Sequence, residues 1–128
     1  MIVLDSDVAI DFLRGLPPAV AWVQSLPLDE VVIIPGYVAM KVIWGTRDAK
    51  DQLRTEKWLS ACKVVCLEPA LCESAYRSLL EVHLKNAIGV LDLLVAQIAI
   101  SLNLPLYTFN QKHFDVVPAL KTIRPYVR

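Results

Sequence analysis

The stretch Met1-Ile2-Val3-Leu4-Asp5-Ser6-Asp7 runs apolar residues straight into a carboxylate. A short apolar run without polar alternation suits a strand covered on both faces, and in a parallel α/β sheet the carboxyl end of such a strand is where sites form. Asp5 stands at that end. A second carboxylate, Asp92, is almost alone in the apolar stretch from Ala87 to Phe109. An ionised side chain in apolar surroundings is costly unless a cation, a metal or several hydrogen bonds offset it, so the two acids point to one shared site.

The same alternation continues along the chain. Ile2–Leu4 reads as a strand, followed by a helix near Val8–Leu13 that Gly15 ends. Pro17-Pro18 opens a helix over Ala19–Ser25, since proline is tolerated in a first turn. Val31–Ile34 is wholly β-branched and reads as a second strand; Pro35-Gly36 then turns into a helix reaching Trp44, with Gly45 at its end. Asp48–Ala61, with Leu53, Trp58 and Leu59 among charged residues, suits an amphipathic helix. Beyond it come a strand at Lys63–Leu67, helices at Pro69–His83 and Ile88–Leu102, a strand at Pro105–Thr108 and a short one at Lys121–Ile123. Strands separated by helices, with no tight hairpin turn, imply an α/β fold with a central parallel sheet between helical layers.

Composition narrows the possibilities. A chain of 128 residues has room for one domain, residues 1–128, and buries roughly two-thirds of its unfolded surface. Its 55% hydrophobic content and mean hydropathy of +0.47 are high for such a chain, and imply a doubly covered sheet or an apolar patch kept for a partner. The formal net charge of zero argues against a broad electrostatic grip on nucleic acid, though not against a small local cleft. Cys62, Cys66 and Cys72 lack the paired spacing of a zinc site or a disulfide framework and read as free thiols of a reducing cytoplasm. No signal peptide is visible, and Asp92, Gln97, Asn103 and Pro105 interrupt the one stretch long enough to suggest a membrane span.

Four segments together resemble one known family: Ile2 to Gly15, Ile34 to Gly45, Gly89 to Ala96 (Gly-Val-Leu-Asp-Leu-Leu-Val-Ala) and Thr108 to Phe114 (Thr-Phe-Asn-Gln-Lys-His-Phe). In order and spacing they are similar to the PIN-domain nucleases, in particular the VapC-like toxins of bacterial toxin–antitoxin pairs. The resemblance implies a three-layer α/β/α sandwich whose acids hold Mg²⁺ or Mn²⁺ and hydrolyse RNA. It also implies a small antitoxin partner and self-association, a homodimer being the expected form, in the cytoplasm and without a membrane.

Carried onto this chain, the resemblance makes Asp5 and Asp92 the metal ligands, because hard divalent ions prefer carboxylate oxygens. Each has a plainer reading as well. Asp5 suits a helix N-cap, for which Ser6 and Asp7 compete, and Asp92 suits a favourable dipole interaction in the first turn of its helix. Asn110 and His113 fall where the family places further polar groups that position water or phosphate; Asn110 is a poor metal ligand, and His113 can donate to phosphate. His83 has no motif support. Asp7 can reach the site, whereas Asp11 reads as a surface or capping residue.

Lys41 is the departure. Alignment on the strand end and on Gly45 puts it where the family has glutamate, and no acid occurs from Val31 to Arg47. Like charges about 4 Å apart repel by several kcal/mol at a protein-like effective dielectric, enough to weaken metal binding by orders of magnitude. Three readings stay open: Lys41 points away from the site, Lys41 pairs with Asp5 and Asp92 in place of the ion, or it is an altered residue in a chain whose parent carries glutamate. The leading expectation is a metal-dependent endoribonuclease; the alternative is an inactive PIN-fold binding module that keeps the partner interface.

Overall fold

The structure, a computed structural model, describes residues 1–86 and 88–128, so Ala87, the first residue of the long apolar stretch, lies outside the described residues. Strands and helices alternate in the order β1 (Ile2–Leu4), α1 (Ser6–Leu13), α2 (Pro17–Ser25), β2 (Val32–Pro35), α3 (Gly36–Trp44), α4 (Ala49–Ser60) and β3 (Lys63–Val65). There follow α5 (Pro69–Val82), α6 (Val90–Ser101), β4 (Leu106–Tyr107), α7 (Gln111–Phe114) and β5 (Thr122–Ile123). The strands form one five-stranded sheet in the order β3-β2-β1-β4-β5, and every pairing is parallel. Helices flank this sheet, giving the α/β/α sandwich that the sequence pattern implies.

Burial explains the strand sequences. Ile2, Val3 and Leu4 in β1 and Ile33 and Ile34 in β2 are all buried, so neither strand has a solvent face on which a polar residue would be favoured. Val8, Val38, Leu93, Val95, Leu106 and Phe114 join them in one apolar cluster, so helices α1, α3 and α6 are anchored on the same core as the sheet. The strand order has a consequence for chemistry. Since β2 lies on one side of β1 and β4 on the other, the connections leave in opposite directions and a crevice opens beyond the carboxyl ends of β1 and β4.

Several boundaries differ from the sequence reading, each for a local reason. Helix α1 begins at Ser6 and not at Val8, because Asp5 occupies the N-cap position and its Oδ1 accepts the Ser6 N–H at 2.8 Å. Asp7 Oδ1 in turn accepts the Val8 N–H at 2.8 Å. Ser6 lies inside the helix and is no competitor for the cap. Gly15 takes φ +75, the left-handed conformation that glycine adopts at no steric cost after a helix. Strands β3 and β4 are shorter than expected. Helix α7 is a single turn of four residues, closed by the His113 N–H donating to the Asn110 carbonyl at 3.0 Å, and is too short to leave a periodic signal.

Candidate functional site

Asp5 follows β1 and Thr108 follows β4, so these neighbouring parallel strands deliver two polar side chains to the same crevice. Their backbones are tied there by the Asp5 N–H donating to the Tyr107 carbonyl at 3.0 Å. The Thr108 hydroxyl, fully buried, donates to Asp5 Oδ2 at 2.8 Å. The Phe109 N–H donates to Asp7 Oδ2 at 2.8 Å, and the Asn110 N–H donates to Thr108 Oγ1 at 3.1 Å. The turn after β4 thus holds the two acids at the start of α1. Asp5 is 3% exposed, yet both of its oxygens are satisfied.

Asp92 enters from α6, in the first turn of that helix, and is half-buried. Among the described residues no group donates a hydrogen bond to its carboxylate, which leaves both oxygens available. The three acids feel one another. Burial is the chief cause that pushes Asp5 above the ordinary carboxylate range; the Asp92 charge adds to it, while the Thr108 and Ser6 hydrogen bonds and the Lys41 charge work against it. Asp7 is pushed up first by burial and then by the Asp5 charge, against the amide bonds from Phe109 and Val8. Asp92 is raised by burial and by Asp7, and lowered by the charges of His113 and Lys41. A cluster of acids that hold protons too readily is one that a bound cation would relieve.

Lys41 lies exposed on α3, and its charge reaches both Asp5 and Asp92. No ion pair within 4.0 Å joins it to either acid among the described residues. Lys41 thus acts on the two acids through its charge and not through an ion pair among the described residues. His113 is exposed on α7, close enough for its charge to act on Asp92. Asn110 is exposed at the N-cap of α7, and its side chain makes no capping bond. His83 ends α5 and is exposed, with no link to these residues.

Two features escaped the sequence reading. Thr108 holds both Asp5 and Asp7, and its signal is a polar residue directly after the apolar strand Leu106–Tyr107, the same pattern that draws attention to Asp5. Asp11 is not a simple surface residue: its Oδ2 accepts from the Tyr126 hydroxyl and from Arg128 Nη1, each at 2.9 Å, and so fastens the C-terminal segment to α1.

Asp5 and Asp92 offer carboxylate oxygens, the donor chemistry that a hard cation prefers, and the Asp7 charge acts on them, whereas the remaining positions offer a lysine, an amide and an imidazole. No cluster of three or more His, Cys, Asp or Glu of metal-binding form occurs among the described residues.

Comparison with known proteins agrees with this architecture. The chain is 33% identical over 126 residues to Ribonuclease VapC10 of Mycobacterium tuberculosis, an alignment covering 94% of this chain and 91% of that protein. Its fold matches that of a toxin–antitoxin complex from Klebsiella pneumoniae, at a TM-score of 0.82 and 21% identity over the whole of both chains. It also matches VapBC2 from Rickettsia felis bound to a DNA fragment from its promoter, at a TM-score of 0.80 and 24% identity over 96% of this chain and 98% of that one. Since the model of the PIN domain matches residues 2–120, and the identity to a VapC ribonuclease extends over nearly the full length, the chain belongs to the PIN-domain family as a VapC-like member.

Proposed function

We propose that the protein is a divalent-metal-dependent endoribonuclease and the toxin of a toxin–antitoxin pair, working in the cytoplasm with a small antitoxin and a second copy of itself as protein partners. The kinship to Ribonuclease VapC10 supports the reaction class, and the toxin–antitoxin complexes of like fold support the kind of partner. The observation that supports the chemistry is that Asp5, Asp7 and Asp92 act on one another by charge at the β1/β4 crevice, each pushed above the ordinary carboxylate range chiefly by burial.

Asp5 and Asp92 are the residues to hold Mg²⁺ or Mn²⁺. Bound there, such an ion supplies neutralisation of the charge that grows on phosphate and a lowered pKa for an attacking water. The rest falls to the chain itself. Thr108 and the Ser6 amide fix the two oxygens of Asp5 in direction, and the Phe109 and Val8 amides do the same for Asp7. Asn110, at the N-cap of α7, and His113, on that helix, would donate to phosphate oxygens. The net reaction adds water across one P–O bond of the RNA backbone.

A second reading, an inactive binding module that keeps the partner surfaces, is favoured by one observation: the ammonium of Lys41 already eases the charge at Asp5 and Asp92. Calorimetric titration with Mg²⁺ and Mn²⁺, beside RNA cleavage, separates the two. The nuclease reading expects metal-dependent cleavage that Asp92→Asn abolishes, with binding and cleavage both stronger in Lys41→Glu. Absence of metal binding in the unaltered chain and in Lys41→Glu alike would sink it.

A further inference from the structure

Between α1, α3 and α4, with Lys41 in its wall, lies a groove of about 510 Å³. Four cations line it, Arg14, Lys41, Arg47 and Arg54, against a single carboxylate, Asp51. That imbalance stands out in a chain whose formal net charge is zero. Asp51 also acts as an anchor more than as an opposing charge. Its Oδ1 accepts from Arg54 Nη2 at 2.9 Å and its Oδ2 stands 3.7 Å from Arg47 Nε, while both arginines remain exposed. One acid thus holds the Arg54 guanidinium by a hydrogen bond and keeps that of Arg47 within ion-pair distance, beside a groove that both arginines line.

Lys41 belongs to both places. It lines the groove, and its charge acts on Asp5 and Asp92, so the row of cations ends at the proposed reaction centre. Ile10, Leu13 and Val42 line the groove along with these charges. Guanidinium forks match phosphate oxygens in planar, two-pronged fashion, which ammonium groups alone do not.

We infer that the α1/α3/α4 groove is a phosphate track: it binds the backbone of single-stranded RNA next to the cleaved bond, with Arg14, Arg47 and Arg54 gripping flanking phosphates and Lys41 holding the one nearest Asp5 and Asp92. The assignment rests on the nuclease reading for the identity of the strand. It also gives the lysine a purpose, since a cation that weakens metal binding at a carboxylate site strengthens the hold on a polyanion entering it.

The test is fluorescence anisotropy with a labelled, uncleavable 2′-O-methyl oligonucleotide, in EDTA, over a range of salt. Four cations on four phosphates give a plot of log affinity against log salt with a slope of roughly −2 to −3, and loss of two of them makes it shallower by about 1.4. Arg47→Gln combined with Arg54→Gln is therefore expected to weaken binding several-fold at low salt and to flatten the slope, as is Arg14→Gln to about half that extent. Thermal melting of each variant excludes an unfolded form. Oligonucleotide binding indifferent to all of these substitutions overturns the inference. It is equally overturned if only a Glu-rich peptide responds to them, which would make the groove a protein-docking site. Arginine-dependent binding without any metal-dependent cleavage keeps the track and removes the nuclease; metal-dependent cleavage with arginine-indifferent binding does the reverse.

Discussion

At the scale of the residue, Thr108 is the side chain on which the geometry of two acids depends. Its hydroxyl lies 2.8 Å from Asp5 Oδ2 and 3.4 Å from Asp7 Oδ2, and it is fully buried. Thr108→Val keeps the shape but leaves a buried carboxylate oxygen without its donor, so it is expected to lower stability by about 1–3 kcal/mol in urea denaturation and to push Asp5 further above the ordinary range. Asp92 behaves in the opposite way, because it has no hydrogen bond to lose among the described residues. Its pKa is raised in the folded protein, so between the ordinary unfolded value of 3.8 and that raised value the folded form binds more protons than the unfolded one. Stability therefore falls as pH rises through this window, and the full penalty applies above it. Asp92→Asn removes the penalty. In EDTA at neutral pH the variant should be the more stable form, and the difference should vanish below pH 3.8. Thermal melts at pH 3.5 and 7.5 read this directly; equal melting temperatures at both would show that Asp92 carries no such strain.

At the scale of the element, α4 shows how a cap serves the groove. Asp48 occupies its N-cap and accepts the Asp51 N–H at 2.8 Å, while Asp51 Oδ2 accepts the Arg47 N–H at 3.2 Å. The same first turn that starts the helix thereby sets Asp51 between Arg47 and Arg54. Asp48→Ala should cost about 1 kcal/mol in denaturant unfolding, and Asp48→Asn, which preserves the acceptor, much less. An equal loss in both variants would assign the effect to charge and not to the capping bond. The C-terminal segment is held by a different device, Tyr126 and Arg128 meeting Asp11 on α1, with the Arg128 guanidinium 4.1 Å from the centre of the Phe109 ring. Phe109 also donates its N–H to Asp7, so the last residues of the chain brace the turn that carries Thr108, Asn110 and His113.

At the scale of the whole molecule, the apolar excess is not all in the core. Met40 is 67% exposed, Trp44 91% and Leu91 46%, and a cavity of about 240 Å³ lined by Tyr37, Met40, Leu91, Leu94 and Ile98 lies along α3 and α6. Apolar surface gathered in this way favours association, because burying it removes ordered contact with water. Light scattering is expected to give a mass above that of one chain, and Met40→Glu to shift it towards the monomer while the circular dichroism spectrum stays unchanged. A strictly monomeric unaltered protein would remove this use of the patch. No helix among the described residues is long and apolar enough to cross a membrane.

Local physics was legible in the amino-acid sequence alone. Unalternated β-branched runs implied buried parallel strands, proline and glycine marked helix ends, and the acids placed against apolar runs marked Asp5 and Asp92, because each of these signals depends on neighbours within a few residues. Motif order along the chain likewise led to the PIN family. What only the tertiary structure decided depends on residues far apart in the chain: that β4 inserts next to β1 and brings Thr108 onto an acid 103 positions away, that the tail returns to Asp11, and that Lys41 stands near the acids without pairing to them. A net charge of zero hid the cationic groove for the same reason. Summed charge carries no position, and the four cations come to line one groove only when α1, α3, α4 and the loop before α4 meet.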